Sequence, residues 1–466
     1  MKKILATILA LVLALGLTAT VWAEGDGTAS GSMTGADFLA KAKDGVITLT
    51  DDVTLSTSCS ISDGQTYTIN LNGHTLSANQ QVIRLTHGKV VVNGKGTIKE
   101  SAPYLGAILI KGSEDSTAEN YSVVEINEGV TLEGWSAIFV DQLSGAEKKP
   151  YAYGVSITVN GAVLNGAKDT DGSVGNGLYV NGSITHTKNA PEISLKNTTI
   201  TATGEGMYLA GYATTTLTNC DITGVTGVEI RAGKLTVNGG SFTATAPYSV
   251  SPNGNGSTTV GAAIAVAQHT TKKNIEVTLN GGTYTGEKAI SESNPQANTP
   301  APQVAMSVTA GTFAGDVVTE DVTNFISGGT FSSDVSTYAA DNTAVAEVKS
   351  NGQTTYAVGS AAIAAAANSG ADVTVTKAGP VSGVNSGVSI KVKDDVKGVT
   401  INDTPAAAGT TYTVPAKYYY TNPTTTTTPD TTTKGSPKTF DAGVGIYAVT
   451  AVLSVTGMAW TAKKRH

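Results

Sequence analysis

Positive charge is scarce in this chain. Arginine occurs only at Arg84, Arg231 and Arg465 among 466 residues, and 14% of the residues are charged. With a net charge of −7 and no basic patch, nucleic acid is excluded as a partner. Cysteine is equally sparse. An exported protein could pair Cys59 with Cys220, but they stand far apart in sequence and coils that distant should not touch, so both are expected to be buried small hydrophobes. The five histidines, at 74, 87, 186, 269 and 466, lack metal-ligand spacing, and no metal centre is expected. The acidic pairs Asp51–Asp52 and Asp394–Asp395 are chain neighbours, whose side chains diverge in a strand and so do not converge for acid–base work. Asp169-Thr170-Asp171-Gly172 opens like a calcium loop but lacks the later ligands, so no cofactor is expected.

Long apolar runs occur only at the two ends. Lys2 and Lys3 precede an apolar stretch from Ile4 to Leu17, and Val21-Trp22-Ala23 offers small residues for cleavage before Glu24. That order is the pattern of a secretory signal over residues 1–23, followed by a Gly/Ser/Thr leader at 24–35. Ala442 to Ala462 carries no charge and is long enough to cross about 30 Å of hydrocarbon as a helix. Lys463-Lys464-Arg465-His466 behind it would stay cytoplasmic. Just before the span stands Ser436-Pro437-Lys438-Thr439-Phe440. This resembles the Leu-Pro-x-Thr-Gly sorting signal of Gram-positive wall-anchored proteins, with Ser436 and Phe440 in place of the Leu and the last Gly. The resemblance implies that a sortase cysteine attacks the Thr439 carbonyl, breaks the Thr439–Phe440 bond and joins the chain to peptidoglycan. Residues 436–466, with Pro437, Lys438 and Thr439 at their head, would then be the sorting signal. The Thr/Pro-rich stretch 418–435 cannot bury a core and reads as a stalk. The expectation is an exported protein held on the outer face by cell wall or membrane.

Between these ends the chain is rich in glycine, 53 residues, and in one recurring phrase. An apolar alternation leads into Asn-Gly or Gly-Gly and then a β-branched or aromatic pair, as at Leu71-Asn72-Gly73, Val92-Asn93-Gly94, Val159-Asn160-Gly161, Val237-Asn238-Gly239-Gly240-Ser241-Phe242 and Leu279-Asn280-Gly281-Gly282-Thr283-Tyr284. Recurrence at intervals of roughly 20–40 residues signals stacked coils. Asn and Gly accept the left-handed backbone of tight turns, and coils about 4.8 Å apart would let Asn side chains bond the backbone of the neighbouring coil. The region resembles right-handed parallel β-helices of the pectate-lyase-like architecture. The fold class expected is therefore all-β, a parallel β-helix over 36–335. A short helix at Asp37–Lys43 would cap its open end. A small module follows at 336–417, with a helix over 360–369 and strands near Val373, Ile390 and Val399.

A second phrase lies between the first. It reads Val82-Ile83-Arg84-Leu85, Ala107-Ile108-Leu109-Ile110, Ala137-Ile138-Phe139-Val140, Gly177-Leu178-Tyr179-Val180, Gly206-Met207-Tyr208-Leu209, Gly227-Val228-Glu229-Ile230 and Ala263-Ile264-Ala265-Val266. Its second and fourth residues are always apolar and face the core, so the third faces out. The outward column then runs Arg84, Leu109, Phe139, Tyr179, Tyr208, Glu229, Ala265. Insertions follow at 111–122, 141–154, 181–192 and 267–274, bringing Tyr151, Tyr153, His186 and much of the local charge. Loops along one edge of a rigid scaffold are where binding usually resides. Arg84, Phe139, Tyr179, Tyr208, Glu229, Tyr151 and Tyr153 are thus the candidate groove, its aromatic floor suited to sugar rings. The alternative is an ordinary outer ladder of stacked side chains. Function is expected to be adhesion or carbohydrate binding, with a glycan or a host or partner surface protein as ligand and sortase, peptidoglycan and membrane as anchoring partners. The rivals are a polysaccharide lyase or glycoside hydrolase and a passive spacer. With three arginines and no convergent carboxylates in view, the sequence leans away from an enzyme.

Overall fold

The computed structural model describes residues 25–100, 106–112, 121–142, 154–169 and 172–416. The signal sequence, the stalk, the sorting signal with Pro437, Lys438 and Thr439, the apolar stretch 442–462, and the loop residues Tyr151 and Tyr153 lie outside the described residues. Among the described residues no helix is long and apolar enough to cross a membrane.

The described residues are all-β apart from two helices, and their main sheet is a parallel solenoid. Each coil lays down short strands that pair in parallel with their counterparts one coil later. Three ladders result. Gly88–Asn93, Ser122–Ile126, Val155–Asn160 and Glu192–Lys196 belong to the first. Gly96–Glu100, Val130–Gly134, Val163–Gly166 and Thr199–Ala202 belong to the second. Ile108–Ile110, Ser136–Val140, Asn176–Val180, Met207–Leu209, Val228–Ile230 and Ala262–Ala267 belong to the third. Further on the strands merge, and Ile275–Ser293 runs through all three ladders.

Corners between the first and second ladders form where the Asn-Gly phrase stands. Asn72 (φ 51°), Gly94 (φ 79°), Gly161 (φ 69°), Asn219 (φ 51°) and Gly240 (φ 103°) all sit in the left-handed region. At Gly240 a Cβ would also lie 2.1 Å from the Cys220 carbonyl oxygen. Asn72 Nδ2 makes the expected bond to the backbone of the neighbouring coil, at the Leu49 carbonyl (3.1 Å), whereas other Asn side chains bond side chains instead. Asn127 Nδ2 donates to Asn93 Oδ1 (2.7 Å), Asn93 to Asn70 (3.3 Å) and Asn70 to Thr48 Oγ1 (3.2 Å).

Inward positions form columns as well. On the second ladder the column runs through Val53, Leu76, Ile98, Leu132, Leu164, Ile200 and Ile222 and turns aromatic at Phe242, Tyr284, Phe313 and Phe331. The four rings stack with centroids 5.2, 4.6 and 4.5 Å apart and planes within 14°. That spacing is the strand spacing itself, so the register dictates the stack. Cys59 and Cys220 are free and buried, and burial pushes the Cys59 thiol up to about 12.

Both ends of the stack are covered. The helix α1 (Gly35–Ala40) starts two residues earlier than the sequence reading places it. Thr34 caps it, its hydroxyl accepting from Asp37 N–H (3.1 Å) and donating to the Asp37 carboxylate (2.7 Å). Phe38 buries its ring fully beneath it. Thr28–Met33, within the expected leader, is a strand paired with Val46–Leu55, so α1 lies inside the first coil and does not precede it. At the other end Gln353–Val358 pairs antiparallel with Gly329–Phe331 and closes the exposed strand edge. A second hydrophobic cluster between Ala344 and Ala406 packs Ile363 and Ala367 of α2 (Gly359–Asn368) against Val373, Ile390 and Ile401.

Phe313 sits in the middle of the ring stack, so Phe313→Ala is expected to cost about 3–5 kcal/mol and to lower the denaturant midpoint. Equilibrium unfolding followed by far-UV circular dichroism measures it. A loss under about 1 kcal/mol would show that the stack contributes no more than a surface contact.

Candidate functional site

Strand alternation puts the third residue of the second phrase outside, and register decides whether those residues meet. They do. Arg84, Leu109, Phe139, Tyr179, Tyr208, Glu229 and Ala265 stand opposite one another, residue for residue, along the third ladder. The expectation of an open aromatic floor is corrected. Leu109 is 4% exposed, Phe139 6% and Tyr208 3%, while Glu229 is fully buried and Tyr179 half-buried. The rings also meet edge to face and present no row of open faces. Phe139 and Tyr179 are 4.7 Å apart at 86°, Tyr179 and Tyr208 5.1 Å apart at 63°, and Trp135 leans on Tyr179 at 5.8 Å. Of these seven residues only Arg84 is exposed.

The cover over Tyr208 and Glu229 comes from an insertion that the sequence reading passes over, residues 245–261, which enters the third ladder and does not leave it. Its ends pair as Ser249–Val250 with Thr259–Val260. Its inner edge is held by charge. The Glu229 carboxylate accepts from Thr258 N–H (3.0 and 3.1 Å), Thr258 Oγ1 (2.8 Å) and Thr259 N–H (3.2 Å). The Arg231 guanidinium donates to Tyr208 Oη (3.0 Å), to the Asn253 carbonyl (3.0 Å) and to the Gly256 carbonyl. Arg231 Nε lies 3.8 Å from Glu229 Oε1 and has no hydrogen bond of its own. Glu205, also buried, meets Ser257 of the same loop. Two carboxylates and one guanidinium therefore clamp a single loop onto the ladder.

Arg231 follows Glu229 by two residues, so both face outward. The same step gives a second outward column in register: Lys111, Asp141, Asn181, Ala210, Arg231. Lys111 Nζ and an Asp141 oxygen form an ion pair at 3.0 Å, and Asn181 Nδ2 donates to Asp141 (2.8 Å). This column was missed because the recurring phrase ends one residue before it. Extending each copy by one position would have found it.

Burial drives the electrostatics of the clamp. It pushes Glu229 up to about 7, with the like charge of Glu205 second, while the Thr258 bonds and Arg231 oppose the shift. Glu205 is raised by burial too. His269, on the next loop, is pushed down to about 4 by burial and by Arg231. Its Nδ1 accepts from Thr271 N–H (3.2 Å), which places the ring proton on Nε2. One coil on, Gln268 bridges Glu292 (3.2 Å) and Asp321 (2.9 Å), and Glu292 accepts from Glu320 N–H and Asp321 N–H (2.9 Å each).

Asp51 and Asp52, expected to diverge, bring one ligand atom each within 4.8 Å of each other and of His74 at the surface. Asp52 Oδ1 already accepts from Thr75 N–H (2.8 Å), which fixes the turn around His74. No protein-family model, no curated protein and no solved structure matches the chain.

The clamp gives a pH signature. Glu229 ionises near 7 in the folded state against an ordinary 4.5, so between those values the native protein holds a proton that the unfolded chain has released. Its contribution is greatest below pH 4.5 and declines as pH rises through 7. His269 acts oppositely, its stabilising effect being lost as pH falls from 6.5 towards 4. In Glu229→Gln the decline in unfolding free energy between pH 5 and pH 8 should flatten. A wild-type slope in that variant would remove Glu229 as its source.

Proposed function

We propose that this chain is an exported surface rod, anchored through residues 436–466, whose third ladder carries the ligand-contacting loops, with a glycan as the ligand. The observation that carries this reading is an asymmetry of insertion. In the coils between Gly88 and Ala202, corners from the first to the second ladder are two or three residues long, as between Asn160 and Val163. Segments flanking the third ladder include 141–154, 181–191, 245–261 and 294–303. In a stacked repeat protein, insertions gathered on one face mark the face that meets other molecules. The apolar rings hold the strands of this face rigid, and the loops above carry the contacts. Lys188 and Lys272 are exposed there, while His186 and Lys273 are half-buried.

A glycan-cleaving enzyme is the rival reading, and the raised carboxylates Glu205 and Glu229 speak for it. Both are closed beneath the 245–261 loop, and the Glu229 oxygens are already engaged by Thr258 and Thr259. General acid catalysis needs a carboxyl within reach of the substrate oxygen, so binding is preferred.

The full chain displayed on cells is expected to retain glycans on an array. Lys188→Glu combined with Lys273→Glu should reduce retention about tenfold or more, the scale of one lost charge-assisted contact. Thr199→Glu with Thr201→Glu, exposed on the second ladder, should leave it unchanged. Equal loss from both pairs would defeat the assignment of the binding face.

A further inference from the structure

The exposed end of the outward column lies in an open cleft. Ser60 and Arg84 are paired neighbours on the third ladder, and both face solvent. The cleft is about 530 Å³, with Arg84, Ser60, Ser58 and Gln80 along the ladder side and Ala36 and Leu39 of α1 as the opposite wall. That wall is fixed in place. Gly35 N–H donates to Thr57 Oγ1 (3.0 Å), and a Cβ on Gly35 would lie 2.1 Å from the Ser58 carbonyl oxygen, so only glycine lets α1 approach this closely. Ser60 and Arg84 of the cleft thus stand on paired strands facing a capped helix, while Ser58 and Gln80 come from the segments that lead into those strands.

Arg84 differs from the chain's other described arginine. Arg231 is wholly buried and bonded to Tyr208, Asn253 and Gly256. Arg84 is exposed, and among the described residues no hydrogen bond or ion pair engages its guanidinium. A guanidinium is a planar cationic fork matched to a carboxylate. Around it stand two serine hydroxyls and one amide, groups that both donate and accept, as sugar hydroxyls require. Leu39 and Ala36 offer an apolar wall for the C–H face of a ring. The chain as a whole is negative, which disfavours anions elsewhere on its surface.

We infer that this cleft binds a carboxylate-bearing saccharide, with Arg84 taking the carboxylate and Ser58, Ser60 and Gln80 the hydroxyls. The inference rests on the glycan reading of the third ladder and names the ligand class at its N-terminal end. An acidic peptide shares the carboxylate but would leave the serines and Gln80 without sugar hydroxyls to bond.

Calorimetric titration of the full chain with sialyllactose, a glucuronate disaccharide and lactose tests it. At least one acidic sugar is expected to bind about tenfold or more tighter than lactose, and its methyl ester should lose that advantage. Arg84→Gln should abolish the preference, and Arg84→Lys should keep part of it as a point charge without the fork. Equal binding of acid and ester, or an unchanged preference in Arg84→Gln, overturns the inference. So does binding of an oligoglutamate peptide in place of the sugars. If neutral glycans bind through the loops and Arg84→Gln is indifferent, this inference alone falls. If no saccharide binds at all, the glycan reading of the rod falls with it.

Discussion

The solenoid of this protein depends on parallel stacking in register. Neighbouring coils are about 4.8 Å apart, and each residue sits on its counterpart in the coil before. Any choice made at one position is therefore repeated or answered at the next. Aliphatic residues answered by aliphatic residues give the core columns. Aromatics answered by aromatics give the Phe242–Tyr284–Phe313–Phe331 stack. Asn answered by Asn gives the amide ladder at the corners. Opposite charges answer each other on the surface, as in Lys99–Glu133 and Lys234–Glu276 at 2.7 Å each. These exposed ion pairs contribute little individually, about 0–1 kcal/mol. The apolar columns carry most of the stability.

The third ladder is where this regularity is interrupted. Its outward face carries a run of large apolar and aromatic side chains, Leu109, Phe139, Tyr179 and Tyr208, between charged ones, and such a run left open would be an aggregation hazard. The chain covers it with its own loops, and it fastens one of them with buried charge. Burying Glu229, Glu205 and Arg231 is costly unless each polar atom is bonded. Thr258, Thr259, Asn253, Gly256 and Tyr208 supply most of those bonds. The Arg231 Nε that remains unbonded stands 3.8 Å from the Glu229 carboxylate. Such a clamp ties loop position to specific side chains, which an apolar cover would do less selectively. Rigid strands below and positioned loops above are the arrangement that the proposed binding face requires.

Much of the architecture was legible in the sequence, because a stacked fold writes its period into the chain. The Asn-Gly corners, the inward columns, the outward column with its order of residues, and both helices were readable from alternation and turn chemistry. α1 begins two residues before Asp37, because Asp37 is the capping partner of Thr34 and lies within the first turn. The 245–261 insertion was not read as a cover. It precedes its strand, whereas the segments 111–122, 141–154, 181–192 and 267–274 follow theirs.

The sequence by itself determined which residues share a column and which face of the strand they occupy, since both follow from the two-residue period. Only the tertiary structure decided what lies on top of that face. Phe139, Tyr208 and Glu229 are covered, and Arg84 is open. The physical reason is that alternation is a property of one strand. Burial of an outward side chain is set by a loop many residues away, and its path depends on bonds such as Thr258 to Glu229 that no local pattern contains.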